Sequence, residues 1–285
     1  MLQFALNGLS AGSVVALTAV SFVIAYRTGG FFNFAHAGLI TAGAYSFYFL
    51  KSQAGLPAAV AAALFYLVPV AVGGLLERAV HKPLRLRYAK STGLLLASLG
   101  TYTLIHNSVA LIFGDDTRSF RWWPIQEGWS LGDLRLTPVQ AATAAAAWTA
   151  IGITGLFLRS SDAGRRIRAV GISPGLAEVV GIDIEAARFS AILLASALAG
   201  LSGFLIACDV DMNPTMGIQP FMTAVVAVLL GRVHLVWSVL AALALSLLQN
   251  VILFWLSSSW QDVFTFSVLL AFFLFRSRWN LQGGA

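Results

Sequence analysis

Long uninterrupted apolar runs constrain this chain more than any other feature of its sequence. They recur at close to the roughly 20 residues that a helix needs to cross the hydrocarbon of a bilayer. Whole segments are apolar all round, whereas a helix at the surface of a soluble domain keeps one face polar. With 58% hydrophobic and only 11% charged residues, the sequence predicts one all-α domain, residues 1–285, forming a polytopic transmembrane helical bundle.

Eight spans can be placed on these runs: Phe4–Tyr26, Phe31–Leu50, Pro57–Leu76, Ser91–Phe113, Pro138–Leu158, Phe189–Cys208, Leu235–Leu256 and Val263–Phe275. A ninth segment, Phe221–Gly231, is too short to cross about 30 Å at 1.5 Å per residue. We therefore expect a half-helix there, or a crossing extended by neighbouring protein. The first span lacks a basic segment before it and a cleavage pattern after it, so we expect it to be retained.

Basic residues are divided unequally between the two sides of these spans. Alternating spans place 14 of the 18 Lys and Arg residues on one side, which we expect to be cytoplasmic. The N-terminus is then outside and the C-terminus inside, provided that Phe221–Gly231 counts as a crossing. This rule also accounts for the net charge of +6 without nucleic acid as a partner. In the external loop 114–137, Trp122, Trp123 and Trp129 predict an aromatic belt or a docking surface.

A polar, glycine-rich break separates the first two spans at Gly29, Gly30 and the residues up to His36. In transporters, helices that restart at membrane depth point their N–H groups at the pathway. Asn33 and His36 are therefore predicted to contact a substrate pathway. Alternatively, Asn33 caps the second span and His36 bonds neighbouring backbone. The two interpretations are compatible.

A second polar break follows the sixth span, where Asn213 and Thr215 flank Pro214 and the chain cannot remain helical. We expect both polar residues near the external mouth, either in the substrate pathway or in a loop that caps the span. Two nearby acids, Asp209 and Asp211, form a solvated acidic loop or steer the docking of an external protein.

The cytoplasmic connection 159–188 is longer than a plain connector between spans needs to be. Ser173 followed by Pro174 predicts a helix start, and Gly181 predicts a stop, which leaves one short helix over about Pro174–Val180. Its apolar residues recur at helical spacing. Because so short a helix is not stable alone, it needs the membrane domain beneath it or a partner above it.

Motifs for chemistry are absent from the sequence. It contains no G-x-x-x-x-G-K-[ST] phosphate-binding loop, no H-E-x-x-H, no G-x-S-x-G and only one cysteine, Cys208. The predicted spans hold no Asp, Glu, Lys or Arg except near their ends, whereas ion-coupled carriers usually place charges at membrane depth. We therefore expect no enzyme activity, cofactor or metal in this chain. Solute movement would be passive or powered by another subunit.

Three ordered motifs make the chain similar to a known family. The first is G-L-S-x-G followed by G-G, N-F-A-H and G-A-Y in residues 8–45, the second is R-A-V-G-I-S-P-G-L-A-E-V-V-G-I at 168–182, and the third is N-P-T-M-G at 213–217. This pattern resembles the LivH-type permeases, the membrane subunits of branched-chain amino acid ABC importers. That family also includes urea and short-chain amide systems. The resemblance covers nearly the whole chain and implies a type II ABC importer-like permease.

The resemblance implies a complex in a bacterial-type inner membrane. Beside membrane lipid, its partners would be a second permease subunit, homologous but not identical, two cytoplasmic ATPases that bind the ATP, and an external solute-binding protein. Segment 159–188 would be the coupling segment. The residues implied in ATPase coupling are Leu176, Ala177 and Val180 in an ATPase groove, Arg165, Arg166 and Arg168 on acids at its rim, and Gly181 at the helix end.

The solute implied by the resemblance is a branched-chain or other neutral amino acid, with urea or a short-chain amide as the alternative. A stand-alone channel for a small neutral solute is the alternative of another class, and it leaves the structured cytoplasmic segment unexplained.

The chain departs from the family pattern at two places. Family members usually read L-G-G-L-G-S where this chain reads Leu230-Gly231-Arg232-Val233-His234-Leu235. A glycine turn thus becomes a turn that carries Arg232 and His234. Arg27 stands where glycine is common, next to the first break.

Overall fold

The structure is a computed structural model that describes residues 2–87, 90–119, 128–131, 134–253, 255 and 260–282. Its helices are α1 Leu2–Gly29, α2 Ala35–Tyr48, α3 Ala58–Leu64, α4 Leu67–Leu76, α5 Lys82–Leu86, α6 Ser91–Phe113, α7 Pro138–Ser160, α8 Asp162–Ile172, α9 Pro174–Val179, α10 Ile184–Asp209, α11 Ile218–Leu230, α12 Leu235–Ile252 and α13 Gln261–Gln282. Two π-helical segments, Phe49–Gln53 and Glu77–His81, continue α2 and α4.

Six helices of the described chain are long and apolar enough to cross a membrane: Gln3–Gly29, Ala58–Leu86, Ser91–Phe113, Pro138–Ser160, Ile184–Asp209 and Leu235–Ile252. The shorter apolar helices Ile218–Leu230 and Val263–Phe272 accompany them. This arrangement confirms the predicted polytopic helical bundle.

Helix α1 lies at the centre of the bundle. Its 28 residues extend about 42 Å at 1.5 Å per residue, enough to cross a bilayer. It packs along α12 and α10 and also contacts α7 and α11, so large side chains such as Leu17 and Phe22 are fully buried. A helix that is apolar all round is stable here because each of its faces meets protein.

Glycines let the central helices approach closely. A Cβ added to Gly203 of α10 would overlap the Ile40 carbonyl of α2, and one added to Gly43 of α2 would overlap the Gly200 backbone. In lipid, helices associate mainly through such close van der Waals packing, because lipid tails are as apolar as the side chains. Helix α2 is therefore fixed against α10 over much of its length.

Two predicted boundaries are wrong. The span predicted over Phe31–Leu50 begins as irregular chain, and its helix starts only at Ala35. The span predicted over Pro57–Leu76 starts as α3, has a turn at residues 65–66 and continues through Glu77–His81 into α5. Charged residues begin directly after Leu76, where the span is predicted to end. They do not end the helix because Glu77 is buried and ion-paired within it.

The helix ends fall into two groups at opposite ends of the bundle. We call the end where α6 and α10 finish the acidic end. There the backbone N–H groups of Arg118 and Met212 each donate to the other residue's carbonyl. At the end where α1 finishes, the basic end, Arg188 of α10 bonds the Thr28 carbonyl. Leu235, which begins α12, also lies beside the last turn of α1. Residues 210–230 therefore pass from the acidic to the basic end, as the alternation of charges requires.

A small antiparallel sheet, β1 Trp129–Leu131 and β2 Leu134–Leu136, precedes α7 at the acidic end. Thr137 then starts α7 with a reciprocal capping box to Gln140. Trp129 is exposed, whereas Trp122 and Trp123 lie outside the described residues. The aromatic belt and the docking surface both stay predictions.

Candidate functional site

The break after α1 is a non-helical segment, residues 30–34, that turns back into the bundle. Gly30 begins it at φ +73°, a conformation that a side chain would strain. The segment then follows α6, where the Phe34 N–H donates to Ser98 Oγ at 3.0 Å and Ser98 Oγ lies 3.3 Å from the Phe32 carbonyl. Ser98 thus bonds backbone groups that have left the helix. Irregular backbone at membrane depth is tolerated only where protein or water satisfies it in this way.

His36 lies inside the subunit, with 1% of its surface exposed. Its Nε2 is 2.6 Å from Ser21 Oγ of α1, and Ser21 Oγ donates to the Ala195 carbonyl of α10 at 2.8 Å. Because the hydroxyl has one hydrogen and donates it to Ala195, His36 Nε2 carries a proton and donates to Ser21. His36 of α2 therefore reaches α1 and α10 through the Ser21 side chain. The prediction was a direct bond from His36 to neighbouring backbone.

The two polar breaks share one construction. Asn33 Oδ1 accepts the Ala35 N–H at 3.1 Å, and Asn213 Oδ1 accepts the Thr215 N–H at 3.0 Å. In each break the backbone N–H three residues after the asparagine, in His36 and in Met216, also donates to the asparagine carbonyl. Both asparagines thus form the same turn shortly before a helix, although neither lies at the N-cap position, which is Phe34 in α2 and Gly217 in α11. The exposed Thr215 adds a hydroxyl donor to the second turn at 2.8 Å.

The second break packs against the first turns of α2. The Gly217 N–H, directly before α11, donates to Thr41 Oγ1 at 3.2 Å, and a Cβ on Gly217 would overlap the Ala37 carbonyl. Helix α2 runs from here to the acidic end, and α11 runs from here to the basic end. Each is only about 20 Å long. Two half-helices therefore start at the same depth, each with the positive end of its dipole inside the bundle.

A cavity of about 410 Å³ lies at the acidic end between α1, α7, α10, α11 and α12. Asn213 lines it, whereas Asn33, His36 and Thr215 do not. The other polar lining residues include Asp209, Asp211, Gln219, Thr223, Gln249 and Asn250. Gln249 and Asn250 were not predicted, although two adjacent amides inside an apolar run are an unusual feature of the sequence. The cavity offers acids and amides to a polar solute.

The connection 159–188 contains two helices, whereas one was predicted. The missed helix, α8, starts where the Ser161 hydroxyl accepts the Gly164 N–H at 2.9 Å. Its polar sequence concealed it, although the buried Ile167 and Val170 recur at helical spacing. Helix α9 confirms the prediction: Ser173 caps it, and Gly181 ends it at φ +80°.

Helix α9 has one buried and one exposed face. Ala177 is 3% exposed and packs in a small cluster with Val170 and Ala187. It therefore faces its own subunit, whereas the prediction placed it on the outer surface. Leu176 and Val180 are 70% and 72% exposed. The membrane domain thus supplies the base that a six-residue helix requires, and the apolar outer face is left open.

The three arginines of α8 have different surroundings. Arg165 pairs with Asp162 on the same helix. Within the described residues, Arg166 and Arg168 have no ion pair, and both are exposed. Arg168 lies beside a cleft that Arg27 also lines.

An ion network ties three helical segments together at the basic end. The buried Glu77 carboxylate pairs with Arg85. Its other oxygen lies 3.1 Å from His81 Nδ1, within hydrogen-bond distance. Arg85 also pairs with Glu185 of α10 at 3.1 Å, and Glu185 pairs with Arg188 at 2.9 Å. A buried charge is stable only when it is paired in this way. Glu77 was missed because its sequence neighbours are mostly basic.

The turn between α11 and α12 is strained. Arg232 and Val233 have φ values of +52° and +57°, which side chains rarely adopt and β-branched ones least of all. The turn is held by the Val233 N–H, which donates to the Val228 carbonyl at 2.8 Å. Glycine would adopt this backbone freely, so Arg232 costs more in this turn than a glycine would.

The structure combines helices that are broken at membrane depth with a polar cavity at one end of the bundle and an exposed helical surface at the other. This combination defines a multi-pass membrane transport protein. Residues 4–273 match the family model described as branched-chain amino acid transport system / permease component. The chain belongs to this family, whose members are transport permeases and not enzymes.

Curated relatives agree with the family match. The chain is 26% identical to the high-affinity branched-chain amino acid transport system permease protein LivH of Salmonella typhimurium, over 94% of this chain and 91% of that protein. It is 25% identical to the corresponding BraD protein of Pseudomonas aeruginosa, over 96% and 94%. A probable ABC transporter permease of Sinorhizobium fredii is 33% identical over 45% of this chain and 41% of that protein. No solved structure matches.

Family and helices together support a multi-pass inner-membrane protein, the permease of an ABC importer. Membership in an ABC permease family implies ATPase and solute-binding partners.

Proposed function

We propose that this chain is the permease subunit that carries branched-chain or other neutral amino acids inward, driven by partner ATPases that bind the ATP. The observation that carries the proposal is the exposed apolar face of α9 on a packed base, in a chain without an ATP-binding motif. The basic end is then cytoplasmic, with the N-terminus outside and the C-terminus inside.

In this proposal α9 docks into a groove of the ATPase. Leu176 and Val180 enter the groove, with Val179, which is 84% exposed, beside them. Ala177 positions the helix by packing against α8 and α10. Arg165 and Arg166, both exposed on α8, reach acids at the groove's rim, and Gly181 directs the chain back into α10. A buried apolar anchor surrounded by charged contacts is how protein interfaces concentrate their binding energy.

The test is substrate-stimulated ATP hydrolysis in the reconstituted complex with its binding protein. Leu176→Glu should abolish the stimulation and weaken copurification of the ATPase, because a charge would enter an apolar groove. Leu86→Glu is the control, since Leu86 is similarly exposed near the same end but lies outside the coupling segment. Undiminished stimulation in Leu176→Glu would refute the docking role of α9.

The cavity at the acidic end is proposed as the outer part of the substrate pathway. Its acids, Asp209 and Asp211, suit the ammonium group of an amino acid, and Asn213 and the cavity's other amides suit its polar atoms. Deeper in the pathway, the two breaks with Asn33, His36 and Thr215 offer helix N-termini to the carboxylate.

Asp209→Asn distinguishes the two solute classes. It should raise the amino acid concentration that gives half-maximal ATPase stimulation, because the ammonium loses an opposite charge. Stimulation by urea or a short-chain amide, which carry no charge, should hardly change. If amino acids fail to stimulate the unmodified complex while an amide succeeds, the amide alternative replaces this proposal.

A polar stripe on α6 supports a second permease subunit. Gly100, Thr103 and Asn107 recur on one exposed face of this span. Polar and small residues at membrane depth are typical of helix contacts and water-filled pathways, and they are unfavourable against lipid. We infer that this face meets the second, homologous permease chain. A cysteine cross-link through Thr103→Cys, absent for the buried position Thr101→Cys, tests it.

A further inference from the structure

A second cleft, of about 190 Å³, lies at the basic end between α1, α7, α8 and α12. Its interior is mostly apolar and includes Val23, Ile24, Gly155, Leu158, Ile167 and Leu235. Three arginines from three different helices line it as well: Arg27 of α1, Arg159 of α7 and Arg168 of α8. An apolar cleft bordered by three positive charges has the composition of a site for an amphipathic anion.

The three arginines lack protein partners. Among the described residues none of them forms an ion pair or a hydrogen bond, whereas Arg165 and Arg188 nearby each pair with an acid. All three arginines are exposed, and three like charges around one small cleft attract an anion to it. The guanidinium group also suits phosphate in particular, because its planar donors match two phosphate oxygens.

The cleft lies at the depth of lipid headgroups. Arg27 is in the last turn of α1, Arg159 is in the last turn of the α7 span, and Leu235 is the first residue of α12. The arginines are thus at the membrane surface, and Gly155 leads one turn further into the hydrocarbon. A Cβ on Gly155 would meet no atom within 4 Å, so the cleft is open at that level.

We propose that this cleft binds one anionic phospholipid, with its phosphate on Arg27, Arg159 and Arg168 and part of an acyl chain between α1 and α7. The proposal requires only that the basic end lie at a membrane surface. The orientation proposed above makes this the cytoplasmic leaflet. Arg27, which replaces a common glycine, thereby gains a role.

The bound lipid would join the coupling segment to α1. Arg168 and Gly171 both belong to α8, and a Cβ on Gly171 would lie only 3.3 Å from the Arg27 Cβ. The lipid phosphate would therefore bridge α8, which precedes α9, and the helix that leads into the first break.

The test is native mass spectrometry of the full-length chain in detergent with phosphatidylglycerol, phosphatidylethanolamine or inorganic phosphate. The unmodified chain should retain phosphatidylglycerol preferentially. Arg27→Gln together with Arg159→Gln should weaken this retention roughly 25-fold, from about fivefold for each charge near the surface. Arg87→Gln is the control, because Arg87 is an exposed arginine at the same end that does not line the cleft.

A second pair of variants separates a lipid from other anions. Gly155→Leu should block the acyl chain and weaken phosphatidylglycerol retention, although every arginine remains. Gly152→Leu on the same helix, where an added Cβ also meets nothing within 4 Å, should not. Both substitutions favour the helix, so folding is preserved.

Three results would overturn the proposal. One is equal retention of phosphatidylglycerol and phosphatidylethanolamine by the unmodified chain. Another is inorganic phosphate competing fully while Gly155→Leu has no effect, which would indicate a simple anion site. The third is an unchanged lipid retention in the double arginine variant together with weaker ATPase copurification, which would assign the arginines to an acidic surface of the ATPase.

Discussion

Ser21→Ala tests whether His36 holds the central helices together. The hydroxyl contacts His36 Nε2 at 2.6 Å and the Ala195 carbonyl at 2.8 Å, and all three residues are buried. A side-chain hydrogen bond within a membrane protein averages about 0.6 kcal/mol and reaches about 1.7. Because the substitution removes two such contacts and leaves a buried N–H unpaired, we expect a loss of about 1–2 kcal/mol in the free energy of unfolding.

The measurement is reversible unfolding of the full-length chain by SDS titration in mixed micelles. A double-mutant cycle with His36→Leu should give a coupling energy of about 1 kcal/mol, since each single substitution already removes the shared bond. Ser202→Ala is the control, because Ser202 is equally buried but bonds only its own helix, at the Leu198 carbonyl. If Ser21→Ala costs no more than Ser202→Ala, or if the two substitutions in the cycle are additive, the bridging role of His36 is refuted.

Three further predictions use the same titration. Gly203→Ala should cost about 1–3 kcal/mol because its methyl group overlaps the facing carbonyl, whereas Gly100→Ala, with no atom within 4 Å, should cost nothing; equal effects would contradict the close packing. Glu77→Gln should cost about 3 kcal/mol by leaving buried Arg85 with one acid, against less than about 1 for Asp162→Asn in an exposed pair; similar losses would show that burial of the network is unimportant. Arg232→Gly should stabilise by about 1 kcal/mol by relieving φ +52°, and Arg87→Gly, at φ −88°, should not; a loss at Arg232 would mean that its side chain contributes more than the backbone strain costs.

The breaks were predictable from sequence because they are local. Two glycines before Asn33, and a proline after Asn213, each make a continuous helix unfavourable whatever surrounds them. What the sequence did not show is that the two breaks meet at one depth. That arrangement depends on Gly217 packing against α2, a contact between residues 176 positions apart along the chain.

The errors at the basic end have a different physical cause. Charged residues favour water, so the sequence predicts that the span ends at Leu76, before Glu77. In the fold, Arg85 and His81 compensate Glu77, and the helix continues to Leu86. Helix α8 was missed for the related reason that three arginines concealed two buried apolar residues. In both places pairing and burial are tertiary properties that composition does not report.

The ion network also determines how the proposed coupling helix connects to the first break. Four residues separate the end of α9 from the start of α10, whose first two turns carry Glu185 and Arg188. Arg188 donates to the Thr28 carbonyl at 3.0 Å, two residues before Gly30, where the break starts. Glu185 meanwhile holds Arg85 on the neighbouring span. A shift of α9 on the ATPase would therefore act on α1 through the hydrogen bond from Arg188 to Thr28, and on α5 through the ion pair between Glu185 and Arg85. This is a physical route from the coupling helix to the half-helix α2, and it depends on groups that lie outside every recognised sequence motif.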